Sequence, residues 1–107
     1  MVKIPDSIKK ILKKYVENLS KEVNVDSAIL FGSYALGNQK ADSDIDLAIF
    51  SENFTDMDRT EAIAYLLDKA LEYDIDLQPL AFEKKELENY RKNPFINEIV
   101  NNGIRII

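Results

Sequence analysis

The chain contains no cysteine and no histidine in its 107 residues. Without cysteine there is neither a disulfide framework nor a thiol nucleophile. Without histidine, the usual zinc sites and every histidine-based triad or general base are excluded. Any chemistry must therefore use carboxylates, hydroxyls, lysines or a bound hard cation such as Mg²⁺.

Long apolar runs and a basic charge balance are absent as well. The longest apolar runs, such as residues 27–31, are far too short to span a bilayer, and the first residues lack the layout of a secretion signal. The net charge of −5 argues against an unaided nucleic-acid binder. We therefore expect a cytoplasmic protein that contacts neither membrane nor nucleic acid directly, with a basic protein partner or a site that recruits metal ions.

The length and the hydrophobic pattern predict one domain over residues 1–107. Apolar spacing predicts a helix from Pro5, another that Thr55 and Asp58 begin, and a third that Asn93 caps and Gly103 ends. The predicted strands cover residues 25–31, 44–50, 74–82 and, more briefly, 104–107, and Pro79 suggests that the third lies at an edge. Helices alternating with strands predict an α/β (α+β) two-layer sandwich, a small mixed sheet flanked by helices. The helix between the second and third strands fits a parallel crossover and an α+β mixed sheet equally well.

Two aspartates with one residue between them stand out in the second predicted strand. Residues two apart on a strand point to the same face and lie about 6.6 Å apart. Asp44 and Asp46 therefore project together, while the apolar residues that alternate with them face the core. Two ionised carboxylates so placed repel each other unless a cation lies between them, and Mg²⁺ commonly binds one or two carboxylates together with substrate phosphates.

Two neighbouring features strengthen this interpretation. Gly32 and Ser33 end the preceding predicted strand, where a glycine lets a phosphate approach the backbone and a serine hydroxyl can contact it. Asp74 and Asp76 begin another predicted strand and can supply a third carboxylate. Each feature alone also fits a structural explanation: a solvated strand face, an ordinary turn or a charge pair at a strand edge. Together they favour a metal–phosphate site.

These residues carry a family resemblance. Gly32-Ser33, ten further residues and then Asp44-Ile-Asp46 resemble the signature of the DNA polymerase β-like nucleotidyltransferases. The short chain and the flanking FGSYALG and SDIDLAIF segments most resemble the minimal nucleotidyltransferase (MNT) domains. Such domains are commonly the antitoxin partners of helical HEPN ribonuclease toxins, and the resemblance is to the MntA-type antitoxins of these HEPN/MNT pairs.

The resemblance implies a nucleotidyltransferase with a role for each motif residue. Asp44 and Asp46 would bind two magnesium ions, and Asp76 would bind the ion near the attacking hydroxyl and accept its proton, directly or through water. The Gly32 backbone and Ser33 would hold the terminal phosphates of ATP. The implied reaction is AMP transfer to a protein hydroxyl, a tyrosine of a cognate HEPN ribonuclease toxin, which makes the chain an ATP-binding antitoxin.

Two points within the resemblance stay open. Asp76 is preferred to Asp74 as the third carboxylate because it lies deeper in the predicted strand and directly precedes Leu77. Many relatives carry an arginine soon after the Gly-Ser pair, whereas here the only cationic residue between Ser33 and Asp44 is Lys40. We therefore expect weak triphosphate affinity without a partner.

Two other functions fit the same sequence. One is a non-catalytic antitoxin that neutralises its toxin by binding and occlusion, with a vestigial or structural metal site. The other is an antibiotic-type transferase acting on a small hydroxylated molecule, although the chain is short for such an acceptor pocket.

Overall fold

The computed structural model describes residues 4–39 and 44–107. Its centre is a four-stranded mixed sheet in the order β3-β2-β1-β4. The strands are β1 Ser27–Phe31, β2 Ile45–Phe50, β3 Leu77–Phe82 and β4 Ile104–Arg105. β1 is antiparallel to both β2 and β4, whereas β2 and β3 are parallel and joined through a helix. The predicted small mixed sheet flanked by helices is thus confirmed, and the crossover and the mixed sheet occur together.

The helices follow the strands in chain order. They are α1 Asp6–Leu19, α2 Ser33–Leu36, α3 Arg59–Ala70, α4 Lys84–Glu88 and α5 Pro94–Asn102, with short 3-10 turns at Glu52–Asp56 and Tyr90–Lys92. None of the helices in the two described segments is long and apolar enough to cross a membrane.

One face of the sheet is covered by α1 and α3. Their apolar residues recur at three- and four-residue spacing, so each helix presents one apolar stripe to the sheet. The Tyr15 hydroxyl, buried in this layer, donates a hydrogen bond of 2.7 Å to the Leu66 carbonyl oxygen. This bond joins the two helices inside the core, where an unpaired tyrosine hydroxyl would be costly.

The opposite face is covered by the C-terminal helices. Ala48, Phe50 and Phe82 of the sheet pack with residues of α5, and the Phe50 and Phe82 rings stack with their centroids 5.2 Å apart. The predicted start of α5 is confirmed, because the Asn93 side chain accepts hydrogen bonds from two N–H groups of its first turn at 3.0 and 3.2 Å. Gly103 ends the helix, also as predicted.

Several predicted boundaries are wrong. The third strand begins at Leu77 rather than at residue 74, because pairing with β2 starts there, and β1 begins at Ser27. Thr55 does not start a helix: the chain first forms the 3-10 turn that buries Phe54, and α3 begins only at Arg59. Pro79 does lie in an edge strand, as its missing N–H predicted.

Candidate active site

Three aspartates lie at one end of the neighbouring strands β2 and β3. The register pairs Ile45 of β2 with Leu77 of β3, and the Ile45 N–H donates to the Asp76 carbonyl oxygen at 2.8 Å. Asp44 and Asp76 therefore precede paired residues on adjacent strands. Because Ile45 is buried toward α1 and α3, alternation along β2 places Asp46 on the other face, while Asp44 and Asp76 directly precede the two strands.

The structure separates Asp76 from Asp74. Asp76 adjoins β3 and is held to β2 through its carbonyl oxygen, whereas Asp74 lies two residues earlier, in a bend outside the strand. The preference for Asp76 rested on its lying deeper in a strand, and in fact neither residue is within it. The hydrogen bond to Ile45 supplies the better reason, because it holds the Asp76 backbone beside the Asp44–Asp46 segment.

The side chains of these aspartates differ in exposure. Asp44 and Asp76 are exposed, and Asp46 is half-buried where the α5-covered face opens to solvent. Within residues 4–39 and 44–107, no three acidic side chains are already grouped closely enough to hold a metal ion. The backbone brings the three together, so a shared cation requires the exposed Asp44 and Asp76 side chains to rotate toward Asp46.

Gly32 touches the central carboxylate of this set. It follows Phe31, which pairs with Asp46 across the sheet, and it has a φ of 74° that L-residues with a side chain rarely adopt. A Cβ atom added to Gly32 would overlap the Asp46 Oδ2 atom and lie 3.1 Å from its Cγ. The glycine therefore makes room for the Asp46 carboxylate. Its predicted contact with a phosphate stays a prediction.

Ser33 begins the short helix α2, where the sequence predicted only a turn. α2 has four residues, and two of its N–H groups donate to the Gly32 carbonyl oxygen at 3.1 Å each. Gly37 ends α2 with a left-handed φ of 78°. A glycine four residues after Ser33 is typical of a helix C-terminus, so the signal was present in the sequence. The Ser33 side chain is half-buried beside Gly32.

The electrostatics of the site fit a cation. Partial burial, and secondarily the charge of Asp44, raise the pKa of the Asp46 carboxyl above its usual range. A divalent cation would offset both the burial and the charge repulsion that raise this pKa, and carboxylate oxygens are the ligands that Mg²⁺ prefers. The residues present thus suit such an ion. Lys40, the predicted loop cation, lies outside the described residues.

A mixed sheet with Asp44 and Asp46 beside a Gly-Ser helical turn is the arrangement expected of a nucleotidyltransferase. The chain belongs to the family described as polymerase beta, nucleotidyltransferase, which matches residues 7–107. The predicted family and the predicted enzyme class, a nucleotidyltransferase, are thereby confirmed. Enzymes of this family generally use a nucleoside triphosphate and a divalent metal.

Curated relatives agree with the family. A protein of Methanocaldococcus jannaschii named "Putative protein adenylyltransferase" is 31% identical over 98 residues, which cover 91% of this chain and 93% of the relative. Another "Putative protein adenylyltransferase" of the same organism is 39% identical over 93 residues, which cover 82% of this chain and 86% of that relative. The "Protein adenylyltransferase MntA" of Shewanella oneidensis is 37% identical over 71 residues, 66% of this chain but 49% of that protein.

A solved structure agrees with the fold. The crystal structure of a "putative nucleotidyltransferase" from Sulfolobus solfataricus superposes with a TM-score of 0.65 at 18% sequence identity. The match covers 91% of this chain and 77% of the other. At this identity the likeness establishes the architecture alone.

Proposed function

We propose that the protein is a Mg²⁺-dependent protein adenylyltransferase that moves AMP from ATP to a hydroxyl group of a partner protein. The observation that supports the proposal most is the position of Asp44, Asp46 and Asp76 at one end of the paired strands β2 and β3, with Gly32 against Asp46. The names of the curated relatives support AMP as the transferred group and a protein as the acceptor.

The proposed reaction exchanges one phosphorus–oxygen bond for another. The acceptor hydroxyl oxygen bonds to the α-phosphorus of ATP, the bond from that phosphorus to the oxygen bridging to the β-phosphate breaks, and pyrophosphate leaves. The hydroxyl proton passes to the Asp76 carboxylate or through water to solvent. Asp76 suits this role because it is exposed and directly precedes β3, the edge strand of the sheet, where an acceptor can approach.

The three carboxylates would also hold the metal. Bound Mg²⁺ supplies neutralisation of the triphosphate charge and polarisation of the phosphoryl oxygens. Asp44 and Asp46 are the proposed ligands of both ions and Asp76 of one. Ser33 and the Gly32 backbone are proposed to position the terminal phosphates at the start of α2.

The proposed acceptor is a tyrosine of a cognate HEPN ribonuclease toxin, which makes this protein an antitoxin. Adding AMP to a tyrosine introduces negative charge and bulk, which would silence an RNA-cleaving site nearby. The net charge of −5 suits a partner with a basic, RNA-binding surface. The partner protein is proposed to present the hydroxyl.

Co-expression with a HEPN protein whose gene adjoins the gene of this chain tests the proposal; if the genome carries no such gene, the proposed partner is wrong. Intact-mass spectrometry of the HEPN protein should show the added mass of AMP with the natural sequence. The Asp44→Asn/Asp46→Asn double variant should add none. Equal labelling by the double variant would refute the carboxylate mechanism. Inhibition of the toxin without any added mass, in both proteins, would favour an antitoxin that acts by occlusion.

A further inference from the structure

An apolar groove opens beside the carboxylate site. It has a volume of about 290 Å³ and lies between α2 and α5, over the end of β1. Phe31, Gly32 and Leu36 form one side, and Phe95 and Ile99 form the other. We call it the α2–α5 groove.

The side chains at the mouth of this groove are unusually exposed for their size. Leu36 has 58% and Phe95 has 51% of its surface exposed, although the Phe95 ring packs edge-on against Phe31 with centroids 5.9 Å apart. Exposed apolar residues scattered singly are ordinary, but two that flank a concave apolar site form a candidate binding surface.

The groove is continuous with the proposed active site through Gly32. That residue lines the groove, and the Asp46 carboxylate occupies the space where its Cβ would be. An occupant of the groove therefore lies next to the reacting groups, within the reach of a single protein segment.

The charges around the groove are negative. Glu98, exposed on α5, belongs to its lining, while no lysine or arginine does among the residues that the structure describes. Together with the carboxylates beyond Gly32, Glu98 gives an acidic border to an apolar centre. The surface is complementary to an apolar side chain flanked by lysine or arginine.

We infer that the α2–α5 groove binds the acceptor protein through an apolar anchor side chain, with a basic residue of that protein facing Glu98. This inference rests on the proposed function for the identity of the acceptor and adds where that protein docks. Leu36 and Phe95 supply the apolar contact, and Glu98 supplies the charge.

The test uses direct binding, so that it does not depend on AMP transfer. The HEPN protein is titrated by calorimetry into the natural protein in the absence of ATP, with and without Leu36→Gln. Because anchor contacts dominate interface energies, Leu36→Gln should weaken binding by about tenfold or more. Glu98→Gln should weaken it less and reduce its salt dependence.

Leu71→Gln is the matched control. Leu71 is 81% exposed and follows α3, on the layer that covers the other face of the sheet, so its replacement should leave the dissociation constant unchanged. Equal losses from Leu36→Gln and Leu71→Gln, or no binding of the HEPN protein at all, would overturn the inference.

Two further measurements identify other occupants. If Leu36→Gln weakens Mg·ATP binding to the natural protein and spares the HEPN protein, the groove receives the nucleotide base and the inference is wrong. If the natural protein sediments as a dimer that only Leu36→Gln dissociates, a second copy fills the groove, which also overturns it. These measurements report binding and need no AMP transfer. The proposed AMP transfer can therefore be wrong while the proposed docking in the α2–α5 groove is right, and the reverse.

Discussion

Replacing Gly32 with alanine tests how the site is built, because it adds one methyl group against the Asp46 carboxylate. The added carbon would overlap Oδ2 and lie 3.1 Å from Cγ and 3.3 Å from Cβ of Asp46. The carboxylate must therefore move. In addition, the φ of 74° and ψ of −150° at Gly32 lie in a region that residues with a Cβ avoid.

Two costs add in this substitution. Holding alanine in such a backbone conformation costs about 1–3 kcal/mol. Displacing packed atoms by one methyl group costs a further 1–3 kcal/mol or so, at the low end here because the Asp46 side chain is only half-buried. We expect a loss of roughly 2–4 kcal/mol in the free energy of unfolding, equivalent to a fall of about 10–25 °C in Tm. AMP transfer should be lost as well.

Urea denaturation in a double-mutant cycle separates the two costs. The Asp46→Ala background removes Cγ and both carboxylate oxygens, so Gly32→Ala should cost about 1 kcal/mol less there than in the natural sequence. The backbone cost should remain in both backgrounds. An unchanged urea midpoint for Gly32→Ala, or an equal loss in both backgrounds, would refute the contact between Gly32 and Asp46.

Further predictions concern stability. Without divalent ions, Asp46→Asn should raise the free energy of unfolding slightly at neutral pH, because partial burial and the charge of Asp44 disfavour the ionised carboxyl while solvent screens much of the effect; a lower Tm for Asp46→Asn would contradict this. Tyr15→Phe should cost about 0.5–1.5 kcal/mol in urea, because it removes the buried hydrogen bond that the Leu66 carbonyl oxygen accepts in addition to its helical one. Burial raises the pKa of Tyr15, so its contribution is present below its ordinary pKa of about 10 and is lost as the pH rises beyond it; a flat profile of unfolding free energy between pH 9 and 11 would count against this assignment. Asn93→Ala should cost about 0.5–2 kcal/mol through loss of the α5 cap, whereas Asn93→Gly should cost only a few tenths, and equal losses would show that capping is not the cause.

Local patterns in the sequence carried much of the fold and the candidate site. The alternation around Asp44 and Asp46 predicted their shared face, because side-chain direction in a strand follows from spacing alone. Asn93 and Gly103 predicted the ends of α5 through hydrogen bonding and backbone freedom that are local in the chain.

Features that depend on distant partners were not predictable in this way. The start of β3 at Leu77 is decided by where β2 pairs with it, and the burial of Phe54 turns the chain before α3 begins. The contact of Gly32 with Asp46 arises from strand pairing across residues far apart in sequence. The α2–α5 groove needs the two helices to meet over β1, which no sequence pattern specifies.

The claim at the centre of this account is that Asp76, rather than Asp74, completes a carboxylate site with Asp44 and Asp46. The most direct measurement is the rate of AMP transfer to the HEPN protein by Asp76→Asn and Asp74→Asn, each with saturating Mg²⁺ and ATP. Both residues are exposed and neither lies within β3, so the two variants are matched in their effect on the fold. The account predicts loss of transfer for Asp76→Asn and near-normal transfer for Asp74→Asn. The opposite result would contradict it.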